Sequence, residues 1–340
     1  MKTTIIDIAQ CAGLSTATVD RVLNRRPGAS AASRQRVYEA ARKLNYLPTF
    51  DSVTLPSKPT HLAFIIPIGK NSFLAGLAKH IEDYASRVPL VASCTVHRLN
   101  SYSPEETMAA IEKISLNARG LGIIALDHPK TRDALRNLTE AGVRLVTIAS
   151  DIPAAPRAAY IGIDNRIAGR TAAWIMGRMI GERQGTIAVF MGSRSYRGHE
   201  EREAGFRSVV VEDFQDLSIS SVVEVAEDSR KSYTETLGVL RREKDLVGLY
   251  CIGAGGQGIV QGLREVFLRR KPVFVCHDLT ADTRSYLLEG VADAVIDQNA
   301  RLMAEQSVIQ LLGSMVSVAP FLSRALIEPR VILRENIPAQ

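Results

Sequence analysis

A glycine-rich segment is the first place where residue types and spacing in this 340-residue chain could support catalysis. Residues 253–258 read GAGGQG, the G-x-G-x-x-G pattern, between a predicted strand and a predicted helix, and Asp278 follows 20 residues later. This spacing is typical of a dinucleotide-binding turn whose carboxylate binds a ribose. An NAD-dependent oxidoreductase is therefore one interpretation. Only about 80 residues remain after the pattern, too few for the two halves of such a domain. We therefore predict a plain glycine-rich turn between strand and helix, with the oxidoreductase as the alternative.

The other reactive side chains form no catalytic pattern. The six histidines lack metal-ligand spacing, and the chain contains no H-E-x-x-H, G-x-S-x-G or Walker sequence. His199-Glu200-Glu201-Arg202 could perform acid–base chemistry, but a charged helix start explains it equally simply. The four cysteines are far apart and are expected to be reduced core thiols. We therefore predict a protein that is not an enzyme and needs no metal or cofactor.

The positive charge of the chain is concentrated at its N-terminus. Residues 1–60 hold nine basic and four acidic side chains, a net +5, whereas the other 280 residues hold 33 and 32, a net +1. A small basic module joined to a nearly neutral body indicates a polyanionic partner. The 46% hydrophobic and 23% charged composition excludes a disordered or fibrous chain.

Local patterns predict that this basic module is a helix-turn-helix. Thr4 with Asp7 three residues later opens a helix to about residue 12, and Gly13 ends it. Ser15 caps a second helix over about 16–24, and a third covers about 31–45. In such a motif the second helix can enter the major groove of DNA. A generic three-helix bundle with a solvated basic face is the alternative.

The exposed side chains of the second helix are the candidates for reading DNA. Arg21 can donate two hydrogen bonds to a guanine or one to a phosphate, and Thr16 and Ala17 can pack on a thymine methyl group. Further candidates for DNA contact are Asn24, Arg25 and Arg34, of which the arginines suit phosphates.

The amino-acid sequence of the module is more informative than its predicted helices alone. Residues 6–24 read I-D-I-A-x-x-A-G-L-S-x-x-T-V-x-R-V-L-N, and residues 33–48 read S-R-x-x-V-x-x-A-A-x-x-L-N-Y-x-P. Both segments resemble the DNA-binding headpiece of the lactose-repressor (LacI/GalR) family. Asp20 is a departure, because the family usually has serine there. The resemblance implies a headpiece over residues 1–48 and a linker over 49–60.

In that family the linker folds into a hinge helix on DNA, and a leucine inserts into the minor groove. Leu55 occupies the place of that leucine. The preceding residues are poor helix formers and Pro56 follows at once, so a plain tether is the alternative.

The remaining 280 residues alternate short apolar runs with amphipathic stretches, which predicts parallel sheets covered by helices. Their length suits two α/β lobes, and polar residues just after the strands become candidate ligand contacts. This body resembles the type 1 periplasmic-binding-protein-like core of the same family, in its ribose-binding-like branch. The resemblance implies a first lobe of residues 61–163 plus 299–323 and a second of 164–298 plus 324–340.

The same resemblance assigns a ligand site between the lobes. Neighbouring hydroxyls of a sugar or polyol would bond to polar side chains, and an aromatic ring would cover an apolar face. The implied ligand residues are Asn71, Phe73, Ser150, Asp151, Arg202, Gly256, Asp278 and Gln298. Gly256-Gln257 stands where the family often has Asn-Asp, which leaves room for a bulkier ligand or a water.

Together these features predict a cytoplasmic, homodimeric transcription regulator that acts as a repressor. It would bind a near-palindromic operator in double-stranded DNA under the control of a small carbohydrate effector. No apolar stretch is long enough for a membrane helix, and the N-terminus does not resemble a signal peptide, so we expect no membrane association. A transporter's sugar-binding protein is the alternative from another class.

The basic module makes operator binding sensitive to salt. Each phosphate that the protein neutralises releases counterions, so the logarithm of affinity should fall linearly with the logarithm of salt concentration, by about 0.9 per phosphate. Fluorescence anisotropy on a bound duplex, with the salt concentration varied from about 50 to about 200 mM, measures this slope. A flat profile would contradict the assignment of the basic module to DNA.

Overall fold

The computed structural model describes residues 4–23, 28–44, 58–114, 117–253, 255–266, 270–315 and 325–339. The chain divides into two compact units, Met1–Thr54 and Leu55–Gln340. No helix among these residues is both long and apolar enough to cross a membrane.

The first unit contains the helices α1 (Ile5–Ala12), α2 (Thr16–Leu23) and α3 (Ala31–Lys43). The predicted caps are present. The backbone N–H of Thr4 donates to the Asp7 carboxylate at 2.7 Å, and the hydroxyl of Ser15 accepts from the N–H of Thr18 at 3.2 Å. Gly13 ends α1 with a φ of 63°, a left-handed conformation that glycine adopts without strain.

The three helices share one apolar core. Ile8, Val19, Val37 and Ala41 are fully buried in it, one or more from each helix. These residues recur at helical spacing, so the pattern that predicts the helices also predicts the faces by which they pack. The opposite face of α2 is left to solvent.

The second unit consists of two α/β lobes. The first lobe has a parallel sheet in the order β11-β5-β4-β3-β1-β2. Its strands are β1 (Thr60–Pro67), β2 (Val91–Leu99), β3 (Ala118–Ile123), β4 (Arg144–Ile148), β5 (Ala159–Ile163) and β11 (Ala325–Ile327). Its helices are α4 (Ser72–Ala85), α5 (Pro104–Glu112), α6 (Pro129–Glu140) and α12 (Ala300–Ser314).

The second lobe repeats this plan with the order β12-β10-β9-β8-β6-β7, in which β12 is antiparallel to β10. Its strands are β6 (Gly185–Met191), β7 (Leu217–Glu224), β8 (Leu246–Cys251), β9 (Val273–His277), β10 (Ala294–Asp297) and β12 (Arg330–Ile332). Its helices are α7 (Asn165–Ile180), α8 (Arg197–Asp213), α9 (Ser229–Arg242), α10 (Gly256–Glu265) and α11 (Ala281–Leu288), and the 3-10 turn Arg334–Asn336 follows β12.

Two expected boundaries differ from the structure. The sequence analysis predicts that residues 324–340 belong to the second lobe, but β11 pairs in parallel with β5 of the first lobe and buries Ile327 there. The chain therefore crosses to the second lobe only between Ile327 and Arg330, because this short apolar strand completes the first sheet. The expected linker of 49–60 ends earlier, since Thr60 already belongs to β1. Residues 45–57, with the predicted hinge helix, lie outside the described residues.

Helices α7 and α8 pack against each other unusually closely. A β-carbon at Gly169 of α7 would lie 2.0 Å from the carbonyl oxygen of Arg202, and one at Gly205 of α8 would lie 2.1 Å from that of Arg166. Only glycine allows the two backbones to approach to this distance. The contact sets the position of Arg202 beside the carboxyl ends of the strands.

Substitution of Gly205 by alanine should therefore destabilise the second unit. The new methyl group would meet a backbone oxygen that cannot move independently, which should cost about 1–3 kcal/mol or more. Gly76 of α4 is the matched control, because a β-carbon there meets no atom within 4 Å. Gly76→Ala should be neutral or stabilise by about 0.5–1 kcal/mol through its helix propensity. Urea denaturation of both variants measures the difference, and equal stabilities would contradict the close contact.

Candidate functional site

Helix α2 presents the residues predicted to read DNA. Thr16, Ala17 and Arg21 are exposed, whereas Val19 and Val22 on the opposite face are buried. The apolar core thus orients α2 so that its polar residues face outward. Asn24, Arg25 and Leu55 lie outside the described residues, as does the side chain of Arg34 on α3.

A second candidate site lies between the two lobes, where the carboxyl ends of their strands meet. A cavity of about 60 Å³, here called the Asp278 cavity, is lined by Asn71 and Phe73 from the first lobe and by Gly256 and Asp278 from the second. A neighbouring space of about 470 Å³, here called the Tyr102 cavity, is lined by Tyr102, Tyr196 and His199 among others. Lys70 and Glu227 line both spaces, so the two cavities adjoin at these side chains.

Backbone strain is concentrated at these strand ends. Within the described ranges, the non-glycine residues with positive φ each follow the carboxyl end of a strand: Ala149, Ala226, Glu227, Asp278 and Asn299. Left-handed backbone costs a non-glycine residue free energy and is retained mainly where it positions functional groups. Glu227 and Asp278 are both held in this conformation at the cavity wall.

Asp278 is the most perturbed of the predicted ligand residues. It is only 8% exposed, and its carboxylate accepts a hydrogen bond from Gln298 Nε2 at 2.7 Å. Burial raises its pKa to about 6, and the positive charge of Arg202 opposes this rise. Asp278 can therefore accept hydrogen bonds from ligand hydroxyls, and its ionisation in this buried position costs the protein free energy.

Asn71 and Phe73 lie at the start of α4. The side-chain oxygen of Asn71 caps the helix by accepting from the N–H of Leu74 at 3.1 Å. Its amide nitrogen donates across the lobes to Glu227 at 3.2 Å. Phe73 supplies a mostly buried apolar surface to the same cavity.

Arg202 and Gln298 stand behind the cavity and do not line it. Arg202 is buried, with Nε donating to Asn165 Oδ1 at 2.8 Å and Nη1 to the carbonyl of Ile252 at 2.9 Å. Asn165 in turn donates to the carbonyl of Ala149 in the first lobe at 3.3 Å. Both side chains act on Asp278, Arg202 through its charge and Gln298 through its hydrogen bond.

Ser150 and Asp151 do not meet the other predicted ligand residues. The Ser150 hydroxyl accepts from the backbone N–H of Gly198 in the second lobe at 3.2 Å, so it joins the lobes. Asp151 accepts from Thr147 at 2.7 Å and from Arg157 at 2.6 Å, and it lines a different space of about 660 Å³. The Asp151 carboxylate is thus engaged by Arg157.

Sequence reasoning missed Glu227, which is the central polar residue of the cleft. It accepts hydrogen bonds from Asn71 and from the hydroxyl of Tyr102 at 3.1 Å, both across the lobes. Burial raises its pKa, although these two bonds oppose the rise. Its place three residues after the end of β7 was the available signal, since ligands bind beyond the carboxyl ends of parallel strands.

The glycine-rich turn is explained by packing within the second lobe. A β-carbon at Gly258 would lie 2.1 Å from the carbonyl oxygen of Ser229, so this glycine lets α10 approach α9. Gly255, with a φ of 109°, caps α10. Gly255 and Gly258 therefore both have structural roles within the second lobe.

The charged cluster at 199–202 forms the first turns of α8. Burial lowers the pKa of His199 to about 3, with the charge of Arg202 adding to the effect, so the imidazole is neutral at physiological pH. Its Nδ1 accepts from the N–H of Ser193 at 3.3 Å. No group of three or more metal-binding side chains occurs among the residues that the structure describes.

Comparison with known proteins identifies two domains in this chain. Residues 4–49 match the bacterial regulatory proteins of the lacI family, and residues 62–313 match a periplasmic binding protein domain. The chain belongs to the periplasmic binding protein domain family and carries a lacI-family regulatory domain at its N-terminus. Its helix-turn-helix and its two-lobed body are thus each shown by a family match.

Curated relatives of this chain include a transcriptional regulator and a catabolite control protein. It is 28% identical to the HTH-type transcriptional regulator DegA of Bacillus subtilis over 217 residues, which is 62% of each chain. It is 32% identical to catabolite control protein A of Priestia megaterium over 151 residues, 44% of each chain. The chain thus spans less than two thirds of the length of these relatives.

Solved structures share the fold of the second unit. A glucose-galactose binding protein, GanP of Geobacillus stearothermophilus, superposes with a TM-score of 0.75 at 19% identity, over 83% of this chain and 100% of that one. A solute-binding protein of Burkholderia graminis, solved with D-arabinose, gives 0.75 at 20% identity, over 83% and 98%. At this identity the likeness shows the fold alone.

The raised pKa of Asp278 predicts a stability that depends on pH. Because the folded state favours the neutral carboxyl, the protein should lose stability as pH rises from about 4 to about 6. Asp278→Asn should remove this loss. At about 1.4 kcal/mol per pKa unit, the free energy of unfolding of the variant should exceed that of the wild type by up to about 3 kcal/mol at pH 7.5 and by little near pH 4. Asparagine also tolerates the left-handed backbone.

Urea denaturation at both pH values tests this, with Asp133→Asn as the control. Asp133 is exposed and lies on α6, so its substitution should change little at either pH. A stabilisation by Asp278→Asn that is equal at both pH values would contradict the assigned charge effect.

Proposed function

We propose that this protein is a cytoplasmic, homodimeric transcription repressor, and not an enzyme, whose operator affinity is set by a sugar or polyol bound between its lobes. The observation that carries the proposal is the presence of both parts in one chain. An exposed reading helix of the lacI type precedes a two-lobed body that encloses a buried polar cleft. The lacI headpiece argues against a transporter's binding protein, in spite of the shared fold of the body.

The first unit supports the DNA part of the proposal. Arg21, Thr16 and Ala17 share the exposed side of α2, where one can bond to a base edge and the others can pack on a thymine methyl. In a dimer related by a two-fold axis, two such helices would meet half-sites in a near-palindromic operator. The arginines predicted to bind phosphates, Arg25 and Arg34, would fix the helix on the backbone.

The cleft supports a hydroxylated ligand. Asp278 and Glu227 offer acceptors, Asn71 is an amide, and Phe73 is an apolar surface against which a ring can lie. Proteins that share this fold include a glucose-galactose binding protein and a solute-binding protein solved with D-arabinose, which supports the carbohydrate class.

Contacts across the cleft supply the coupling. Lys70 of the first lobe pairs with Asp228 of the second at 3.2 Å, next to the bonds that Asn71 and Tyr102 make to Glu227. A ligand that replaces these contacts changes the relative free energy of open and closed lobes. Coupling of this kind is typically about 1–3 kcal/mol, or roughly 5–150-fold in operator affinity.

Two substitutions should separate the two activities. Arg21→Ala should weaken binding to an operator duplex, selected from a random pool by the wild-type protein, by about 1–3 kcal/mol. It should leave effector binding unchanged. Asp278→Ala should preserve operator binding and abolish its response to the effector.

Fluorescence anisotropy on the selected duplex, with and without sugars and polyols, measures both effects. Arg136→Ala on α6 is the control for loss of a surface arginine, since Arg136 is half-exposed and lies outside both sites. Unchanged operator affinity in Arg21→Ala would contradict the assignment of α2 as the helix that reads DNA. A normal effector response in Asp278→Ala would contradict the assignment of the cleft as the effector site.

A further inference from the structure

The cleft contains two carboxylates that no basic side chain neutralises directly. Glu227 accepts from the amide of Asn71 at 3.2 Å and from the hydroxyl of Tyr102 at 3.1 Å, and Asp278 accepts from the amide of Gln298 at 2.7 Å. All three donors are neutral. Across the described ranges, neither carboxylate forms an ion pair with a lysine, arginine or histidine.

The nearest cations are engaged elsewhere. Lys70 lines the cavity but pairs with Asp228 and has a side chain that is 75% exposed. Arg202 stands behind Asp278, where its guanidinium donates to Asn165 and to the carbonyl of Ile252. Its charge lowers the pKa of Asp278 only in part, because that pKa still lies well above its ordinary value.

The two carboxylates lie within electrostatic reach of each other. The charge of Asp278 raises the pKa of Glu227, beyond the larger effect of burial. Both charges also raise the pKa of the buried Cys251 thiol, which lines the same cavity. Asp278 is buried and Glu227 is half-buried, and two neighbouring anions so shielded from water are costly unless a cation joins them.

A further polar group of the cavity is left without a partner. His277 lines the Asp278 cavity, is 3% exposed, and has an Nδ1 that makes no hydrogen bond. Its Nε2 is bonded to the hydroxyl of Tyr250 at 2.7 Å. Burial lowers the pKa of His277 well below its ordinary value, so the neutral ring does not supply the missing positive charge.

We propose that the effector carries a protonated amine beside its hydroxyl groups, and that the ammonium group sits between Glu227 and Asp278. The inference rests on the proposed function, in which this cleft holds a hydroxylated effector, and it narrows the class to amino sugars and amino polyols. An ammonium donates three hydrogen bonds and meets both acceptors in a charge-assisted way. Neighbouring hydroxyls then reach Asn71 and the free nitrogen of His277.

An organic cation fits these residues better than a metal ion does. Among the described residues, no three side chains of the metal-binding types converge at one point. Gly256, which lines the same cavity, has no side chain, and this leaves space for an organic substituent. The left-handed backbone at Ala226 and Glu227 holds the Glu227 carboxylate at the junction of the two cavities.

Matched ligand pairs test the inference on the full-length protein. Isothermal titration calorimetry at pH 7.5 would compare D-glucosamine with D-glucose and D-galactosamine with D-galactose, with N-acetyl-D-glucosamine as a neutral amide. At least one amine should bind about tenfold more tightly than its parent, a typical contribution of one charge-assisted contact. The acetylated sugar should lose this advantage.

Glu227→Gln then assigns the preference to this carboxylate. Glutamine retains an acceptor for Asn71 and Tyr102 but removes the charge, so the affinity for the amine should fall about tenfold while that for the neutral parent changes little. Glu224→Gln is the matched control, since Glu224 is exposed at the end of the same strand and does not line the cavity. It should change neither affinity.

The outcomes separate this inference from the proposed function. It is overturned if no amine binds more tightly than its neutral parent, or if Glu227→Gln keeps the preference intact. Binding of neutral sugars that Asp278→Ala removes would then leave the proposed carbohydrate effector standing. If 1,4-diaminobutane binds through Glu227 and no sugar of either kind does, the ammonium site is supported and the carbohydrate class fails.

Discussion

The close approach of α7 and α8 is the constraint on which the cleft depends. Gly169 and Gly205 let the two backbones meet, and this places Arg202 and Asn165 side by side under the strand ends. Asn165 reaches the carbonyl of Ala149 in the first lobe, while Arg202 reaches that of Ile252. A buried guanidinium is thereby held behind the cavity, where its charge moderates the cost of ionising Asp278.

The cleft uses polar groups at a cost to the empty protein. Asp278 is buried and Glu227 is half-buried, both with raised pKa values, and His277 retains an unbonded nitrogen. Such groups weaken a fold unless a partner arrives to satisfy them. The same features that reduce stability make the cleft responsive, because a ligand that satisfies them gains the free energy that the empty site lacks.

The net charge differs between the N-terminal part of the chain and the two-lobed body. The net +5 of residues 1–60 belongs to the DNA-binding part, whose small apolar core orients α2. The body is almost neutral overall, yet its cleft concentrates negative charge at two carboxylates. Total charge therefore predicts the partner of the first unit and says nothing about the partner of the second, because charges of the body cancel over its surface while those of the cleft do not.

Sequence alone determined the local elements and the family. The caps at Thr4 and Ser15, the glycine turn and the buried Val19 and Val37 follow from short-range rules, and the lacI match agrees with them. The alternation of apolar runs with helices likewise sufficed for two α/β lobes, since strand and helix periods are local properties.

The tertiary structure decided which polar groups meet. Asn71, Phe73, Gly256 and Asp278 do share one cavity, but Asp151 is taken by Arg157, a pairing that depends on the loop after β4. A three-residue strand at Ala325–Ile327 joins the first sheet by non-local pairing that no local pattern specifies. Glu227 enters the site only because two lobes close across it, and contacts between distant segments are fixed by packing, since the sequence around each of them is compatible with many neighbours.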